Sequence, residues 1–336
     1  MARSGEFAWI ERYLAPLSGK DAFSLRDDAA MVPLTGMETP GERLVITQDA
    51  IMETVHFLPD DPVDTVAQKA LRVNVSDIVS KGATPRFWSM ALGVPDRWED
   101  LDMERFASGL AADQERFGLT LTGGDTYRSP GGLCVSITMI GTVEAGHYKA
   151  RIGARAGDVV FVSGTIGNSA VGLSVATGAL QVSANDALAH IAAYRVPQPP
   201  HGLQSAIAGF ATASMDISDG LLGDARKLAT ASNVKLNLLY EDIPVAPAIA
   251  ALLKTRAVNL ETVLSGGDDY QVLCTVRPKN AEAFRAAAAE AGYAVTAIGH
   301  VEPPAEGPIA TSTNQGVSIT KGGVALRVER DSYSHF

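Results

Sequence analysis

Cysteine is nearly absent: Cys134, in LCVSITMIG, and Cys274, in YQVLCTV, are the only two in 336 residues. No disulfide framework can be built from so few, and the apolar, strand-like runs around them predict two buried free thiols. Long hydrophobic runs are missing too. No stretch stays apolar for the roughly 18 residues that a membrane span requires, and the N-terminal MARSGEFAWIERYLAPL has no apolar block of signal-peptide length. A cytoplasmic location is the resulting expectation. Positive charge is in deficit, with 28 Lys and Arg against 38 Asp and Glu for a net charge of -10. Without a basic stripe, general binding to a nucleic-acid backbone is excluded. The familiar nucleotide motifs are absent as well: Gly19-Lys20 is followed by Asp21 and lacks the upstream glycine of a P-loop, and the protein-kinase catalytic motifs do not occur.

What is present is a soluble globular balance, 46% apolar and 20% charged, in a chain long enough for two domains. Strand-like and helix-like segments alternate throughout, which predicts a mixed α/β or α+β class. RLVITQDA (43–50) reads as a strand, DTVAQKALRVNVSDIVSKGATP (64–85) as a helix stopped by Gly82 and Pro85, and EDLDMERFASGLAADQERFG (99–118) as a helix closed by glycine. LTLT reads as a strand that ends in the loop GGDTYRSPGG. The Gly-, Ala- and Arg-rich ARIGARAGD (150–158) marks the domain boundary, giving expected domains 1–149 and 150–336. In the second half, VSGTIGNSAVGL joins a strand to a helix, and its backbone N–H groups either receive an anion or form a plain turn.

The informative pattern is where aspartates fall. Asp27-Asp28 precede AAMVP; Asp49 ends VIT; Asp77 lies in NVSDIVSKG; Asp125 follows LTLTGG; Asp216 and Asp219 flank Ser218 in MDISDGLL; Asp268-Asp269 follow SGG. A lone Asp before glycine needs no function, since it caps helices and forms turns. Recurrence at strand ends points instead to hard oxygen ligands for Mg²⁺. Acidic loops that meet polyphosphate need such cations, because two unit charges 5 Å apart at an effective dielectric near 20 repel by about 3 kcal/mol.

In order, these segments closely resemble the thiamine-monophosphate kinases, in the superfamily of aminoimidazole ribonucleotide synthetase, selenophosphate synthetase and a hydrogenase maturation factor. The resemblance runs from Gly5-Glu6-Phe7 through TQDAIMETVHF, NVSDIVSKGATP, GGDTYRSPGG, ARAGDVVFVSGTIGNSAVGL, MDISDGLLGDARKLA and LSGGDDYQVL to Tyr333 and His335-Phe336. It implies a two-domain α+β fold whose N-terminal strands pair across a homodimer, with a C-terminal α/β domain completing each site. It also implies ATP-dependent, Mg²⁺-assisted phosphorylation of thiamine monophosphate to thiamine diphosphate. On the family pattern Asp28, Thr47, Gln48, Asp49, Asp77, Asp125, Asp216 and Asp219 form the shell of several Mg²⁺ ions. Gly124, Asp125, Arg151 and Ser218 contact ATP, while His56, Asp268 and Tyr333 contact the thiamine substrate. No general base is assigned, because the acceptor is already an ionised phosphate oxygen.

Read from the residues alone, His56 serves equally as a core histidine and Arg151 as a solvated linker residue. Gln48 stands where the family has Thr or Ser, Arg26 where it has Gly, and Asp268 where Glu is frequent. Selenophosphate synthetase calls for a reactive N-terminal Cys or selenocysteine and the hydrogenase factor for a C-terminal Cys, and neither residue is found here. A Mg-nucleotide-binding protein without turnover is the alternative of a different class, supported only by Gln48 and Arg26.

Overall fold

The computed structural model describes residues 26–27, 30–33, 41–304 and 316–326. Asp28 and Tyr333 lie outside the described residues. Two sheets organise the chain. The first has the order β1-β2-β5-β3-β4, from β1 (Ala30–Pro33), β2 (Glu42–Met52), β3 (Thr84–Pro95), β4 (Thr120–Ser129) and β5 (Cys134–Glu144). Its neighbours are antiparallel except β3 and β4, which run parallel through the crossover helix α2 (Asp100–Phe117). Helix α1 (Val63–Ser80) packs beside α2 on the same face.

That one-sided cover explains the alternation along the strands. Val45, Thr47 and Ile51 of β2 and Val135, Ile137, Met139 and Val143 of β5 are buried toward the helices. Gln48, Ala50 and Met52 point the other way, to a face with no covering element among the described residues. Met52, Phe87 and Tyr127 share that face and remain 47%, 43% and 44% exposed. The strand begun by LTLT does not stop at the glycines as the sequence predicts. It pairs with β3 through Ser129 across a register shift at Trp88/Ser89. Gly124 makes this possible, because a Cβ there would sit 2.1 Å from the Met90 carbonyl oxygen.

The second sheet has the order β12-β11-β8-β10-β6-β9-β7, mostly antiparallel, from β6 (Val159–Ser163), β7 (Ala211–Asp216), β8 (Lys235–Leu239), β9 (Val272–Val276), β10 (Val295–Glu302), β11 (Val317–Lys321) and β12 (Val324–Ala325). It is covered on both faces. Val160, Val162, Met215 and Leu273 enter the core shared with α3 (Asn168–Ala176), α6 (Leu221–Ser232), α7 (Pro247–Thr255) and α8 (Leu260–Ser265). Phe161, Val272, Cys274 and Val276 enter the opposite core with α5 (Gln204–Phe210) and α9 (Ala281–Glu290). Two-sided cover is why VLCTV reads as a continuous apolar run. Of the two thiols, Cys274 is buried and its pKa is pushed up to about 12 by burial, whereas Cys134 is only half-buried; both are free.

Helix α1 joins the two halves. Every residue from Lys69 to Ser80 is buried, polar ones included. Arg72 forms a two-pronged pair with Asp113 of α2, Nε to Oδ2 at 2.6 Å and Nη2 to Oδ1 at 2.7 Å, with both side chains no more than 2% exposed. Leaving one member of such a pair unpartnered costs about 3–5 kcal/mol. Asp113→Ala should therefore lower the urea-unfolding free energy by about that amount, while Arg72→Met combined with Asp113→Ala should cost less than the sum of the single changes.

Candidate active site

The polar residues of α1 are spaced along one line of partners. Near its start Lys69 Nζ donates to Asp268 Oδ2 at 2.6 Å and to the His56 carbonyl at 2.9 Å. One turn on, the Asn74 side chain accepts from the Asp49 N–H at 3.0 Å. Ser76 Oγ donates to Asp216 Oδ2 at 2.9 Å, and Asp77 Oδ2 accepts from Thr47 Oγ1 at 2.6 Å. Just past the last turn, Lys81 Nζ meets Asp27 Oδ1 at 2.7 Å and the Ser214 carbonyl at 3.0 Å. Twelve residues at 1.5 Å each set the two lysines about 18 Å apart. The helix thus spans the candidate site from the Asp268 end to the Asp27 end.

Two loops of the second sheet meet this line. After β7 the chain passes Asp216, Ser218 and Asp219 into α6. Asp224, one turn into that helix and fully buried, accepts the Ser218 and Asp219 N–H groups at 2.9 and 3.0 Å. Lys227 completes the cluster, bonding Asp219 and Asp224. Burial raises the Asp224 carboxyl, with Lys227 opposing it; burial alone would depress the Lys227 ammonium, yet the two carboxylates hold it above its usual value. The second loop, GGDD, lies directly on the first. The Asp268 N–H donates to the Ser218 carbonyl at 2.7 Å, and a Cβ on Gly267 would fall 2.4 Å from that same oxygen, so only glycine allows the approach. Tyr270 OH donates to Asp268 Oδ1 at 3.0 Å, its phenol pushed well above the usual range by burial and by Asp268 and Asp49.

Between these loops and β2 lies a cavity of about 350 Å³, lined by Asp49, His56, Tyr194, Ser218, Asp219, Asp268 and Tyr270 among others. Five of the sequence-predicted residues, Asp49, His56, Ser218, Asp219 and Asp268, therefore share one wall. Thr47, Asp77 and Asp216 stand behind it, bonded to one another's elements through α1. Arg151 lies at the Asp27 end: its N–H faces Asp27 Oδ2 and its Nη1 donates to the Arg26 carbonyl. Gln48, Gly124 and Asp125 are placed elsewhere. Gln48 Nε2 donates to Ser136 Oγ on the uncovered face. Asp125 pairs with Ala91, which pairs with Ser136, which pairs with Ala50, so its side chain also belongs to that face. Three strand spacings put it about 14 Å from the β2 position of Asp49.

The donors that gather here are carboxylate and hydroxyl oxygens, the set preferred by Mg²⁺. His56 Nδ1 is already engaged, accepting from the Met52 N–H at 3.0 Å. Among the described residues no three His, Cys, Asp or Glu side chains close on a single point. Lys69, Lys81 and Lys227 instead balance the acids, and neither Lys69 nor Lys227, nor Asn74, Ser76, Tyr194 or Asp224, is singled out by the sequence. The available signal was the polar content of α1, which no one-sided amphipathic helix explains.

The N–H groups of the glycine loop ahead of α3 are taken by an internal acceptor, the Asp269 carboxyl. Asp269 Oδ2 accepts from the Gly167 N–H at 2.8 Å, and the Asn168 and Ser169 amides support the same carboxylate. Burial pushes its pKa up to about 7 against that support. A folded-state value raised above the unfolded one means that the native state holds the extra proton. Stability should accordingly fall as pH rises from about 4 to about 7, and Asp269→Asn should flatten that slope in urea-unfolding midpoints.

The AIR synthase related protein family matches the chain twice, its N-terminal domain over residues 26–143 and its C-terminal domain over 155–309. The thiamine-monophosphate kinase of Caulobacter vibrioides is 41% identical over 299 residues, 88% of this chain and 83% of that protein. That of Escherichia coli K12 is 32% identical over 337 residues, covering 99% and 98%. A solved structure, AaThiL complexed with AMPPCP and TMP, superposes with a TM-score of 0.84 at 31% identity, covering 100% of this chain and 99% of that one. Identity of this degree over nearly the whole length, on a fold whose acidic loops converge at one cavity, makes this chain a member of the thiamine-monophosphate kinase family.

Proposed function

We propose that this protein transfers the γ-phosphoryl group of ATP to the phosphate of thiamine monophosphate, giving thiamine diphosphate and ADP. The observation that carries the reading is the cavity where Asp49, Asp219 and Asp268 converge from both sheets, in a chain that aligns throughout with a relative holding AMPPCP and TMP. Phosphoryl transfer passes through a loose transition state, so positioning and charge neutralisation carry catalysis and no strong base is needed. His56, Asp268 and Tyr333 contact the thiamine monophosphate substrate. Ser218, Gly124 and Arg151 contact ATP, Arg151 as a planar cation suited to phosphate. Asp28, Thr47, Gln48, Asp49, Asp77, Asp125, Asp216 and Asp219 would hold Mg²⁺, which supplies neutralisation of the phosphate charge when bound. The buried Ser76 and Asp224 keep Asp216 and the Ser218–Asp219 backbone in place for that role. Residues 1–149 form the metal-, nucleotide- and dimer-forming half and 150–336 the half that completes the site, in a cytoplasmic enzyme.

The homodimer belongs to the same reading. Met52, Phe87 and Tyr127 make the uncovered face apolar, and Asp125 lies on it, remote from Asp49 of its own chain. In this reading a second copy seats on that face and each chain lends its Asp125 to the site of the other. Purified protein with ATP and Mg²⁺ should release ADP in step with thiamine diphosphate when given thiamine monophosphate, and not when given free thiamine. If nucleotide binds and no thiamine diphosphate forms, the kinase reading fails. Asp49→Asn and Asp125→Asn should each be inactive, whereas co-refolded mixtures should regain about a quarter of wild-type activity, since half the dimers carry one intact site of two. A protein using Asp125 within its own chain would regain none.

A further inference from the structure

Behind the Asp268 end of the cavity stands a cation to which the reaction above gives no part. The Lys69 side chain is 1% exposed and does not line the cavity, yet it touches three residues that do. Its Nζ is 2.6 Å from Asp268 Oδ2, 2.9 Å from the His56 carbonyl oxygen and 4.5 Å from the centroid of the Tyr194 ring. These partners come from three separate segments: the turn after β2, the helix α4 (Ala184–Arg195) and the loop before β9. One ammonium therefore fixes the relative positions of three wall residues without meeting the contents.

Asp268 needs that support. Its backbone is held at φ +64, a conformation that side-chain-bearing residues adopt at a cost, and its side chain is 30% exposed toward the cavity. Tyr270 holds Oδ1 and Lys69 holds Oδ2, so both oxygens are oriented and the carboxylate charge is matched. We infer that Lys69 is a positioning residue for the phosphate acceptor: it holds Asp268 in the orientation that accepts an N–H donor of the bound acceptor, and keeps His56 and Tyr194 in register with it. This rests on the reading of Asp268 and His56 as acceptor contacts. Asp268 is partly exposed and can take up water when the ammonium is removed, so its charge is not left bare.

The test compares Lys69→Met with wild type by steady-state kinetics and by calorimetric titration of thiamine monophosphate. The variant should raise the acceptor KM and Kd by about tenfold or more, as loss of preorganisation in a binding contact does, with kcat and the KM for ATP within about twofold. Lys69→Arg should recover part of the loss. In an Asp268→Asn background Lys69→Met should add nothing further, because it acts through that carboxylate. Unchanged acceptor affinity in Lys69→Met, or a loss that simply adds to that of Asp268→Asn, overturns the inference. If Lys69→Met does not fold, Lys69→Gln, which keeps a donor for the His56 carbonyl, reads the same quantities. Failure of wild type itself to bind thiamine monophosphate would instead remove the functional reading, and the two failures are thereby distinct.

Discussion

A helix buried over three consecutive turns must find a protein partner for every polar group it carries, and the rest of this molecule is arranged to meet that demand of α1. An unsatisfied buried polar group costs about 1–3 kcal/mol and an unpaired buried charge more. Lys69, Arg72, Asn74, Ser76, Asp77 and Lys81 are all buried, so their partners must come from both sheets. Asp268 and Asp216 come from the second, Asp49 and Thr47 from the first, and Asp113 from α2. The helix therefore does two things with one set of bonds. It fastens the halves together, and it spaces the acidic loops along its axis at intervals set by 1.5 Å per residue.

The strand period of two exerts the second control. Thr47 and Asp49 point toward α1, whereas Gln48 between them points to the uncovered face and reaches Ser136. Asp125 falls on that second face by its pairing with Ala91. Residues adjacent in the family pattern are thus divided between two surfaces of one sheet. A single chain gathers the Asp49 group; the Asp125 group faces outward among Met52, Phe87 and Tyr127.

Much of this was legible in the sequence, and what was not has physical causes. Apolar periodicity located α1, α2 and the main strands within a few residues, and the recurrence of Asp at strand ends located the loops that form the cavity. The strand through GGDTYRS was hidden, because glycine pairs are ordinarily breakers and only the approach of Gly124 to Met90 lets pairing continue. The filler of the VSGTIGNS loop was hidden for another reason: Asp269 lies 102 residues from Gly167, beyond any local pattern. Lys69 and Lys227 do not stand out in the sequence because a Lys in a helix normally reads as solvated, and burial of its ammonium depends on acids that tertiary structure supplies.

Those lysines give the site an unusual kind of self-sufficiency. Lys69 sits on Asp268, Lys81 on Asp27, and Lys227 on the pair Asp219 and Asp224, whose charges would otherwise oppose each other. Sites that crowd uncompensated carboxylates depend on their ion to stay folded, and chelators unravel them. Here the counter-charge to Asp268, Asp27, Asp219 and Asp224 is covalently part of the chain. The mutual placement of the Asp268, Asp27 and Asp219 loops is thereby set by side chains of the chain itself, and their folding does not wait on any bound partner.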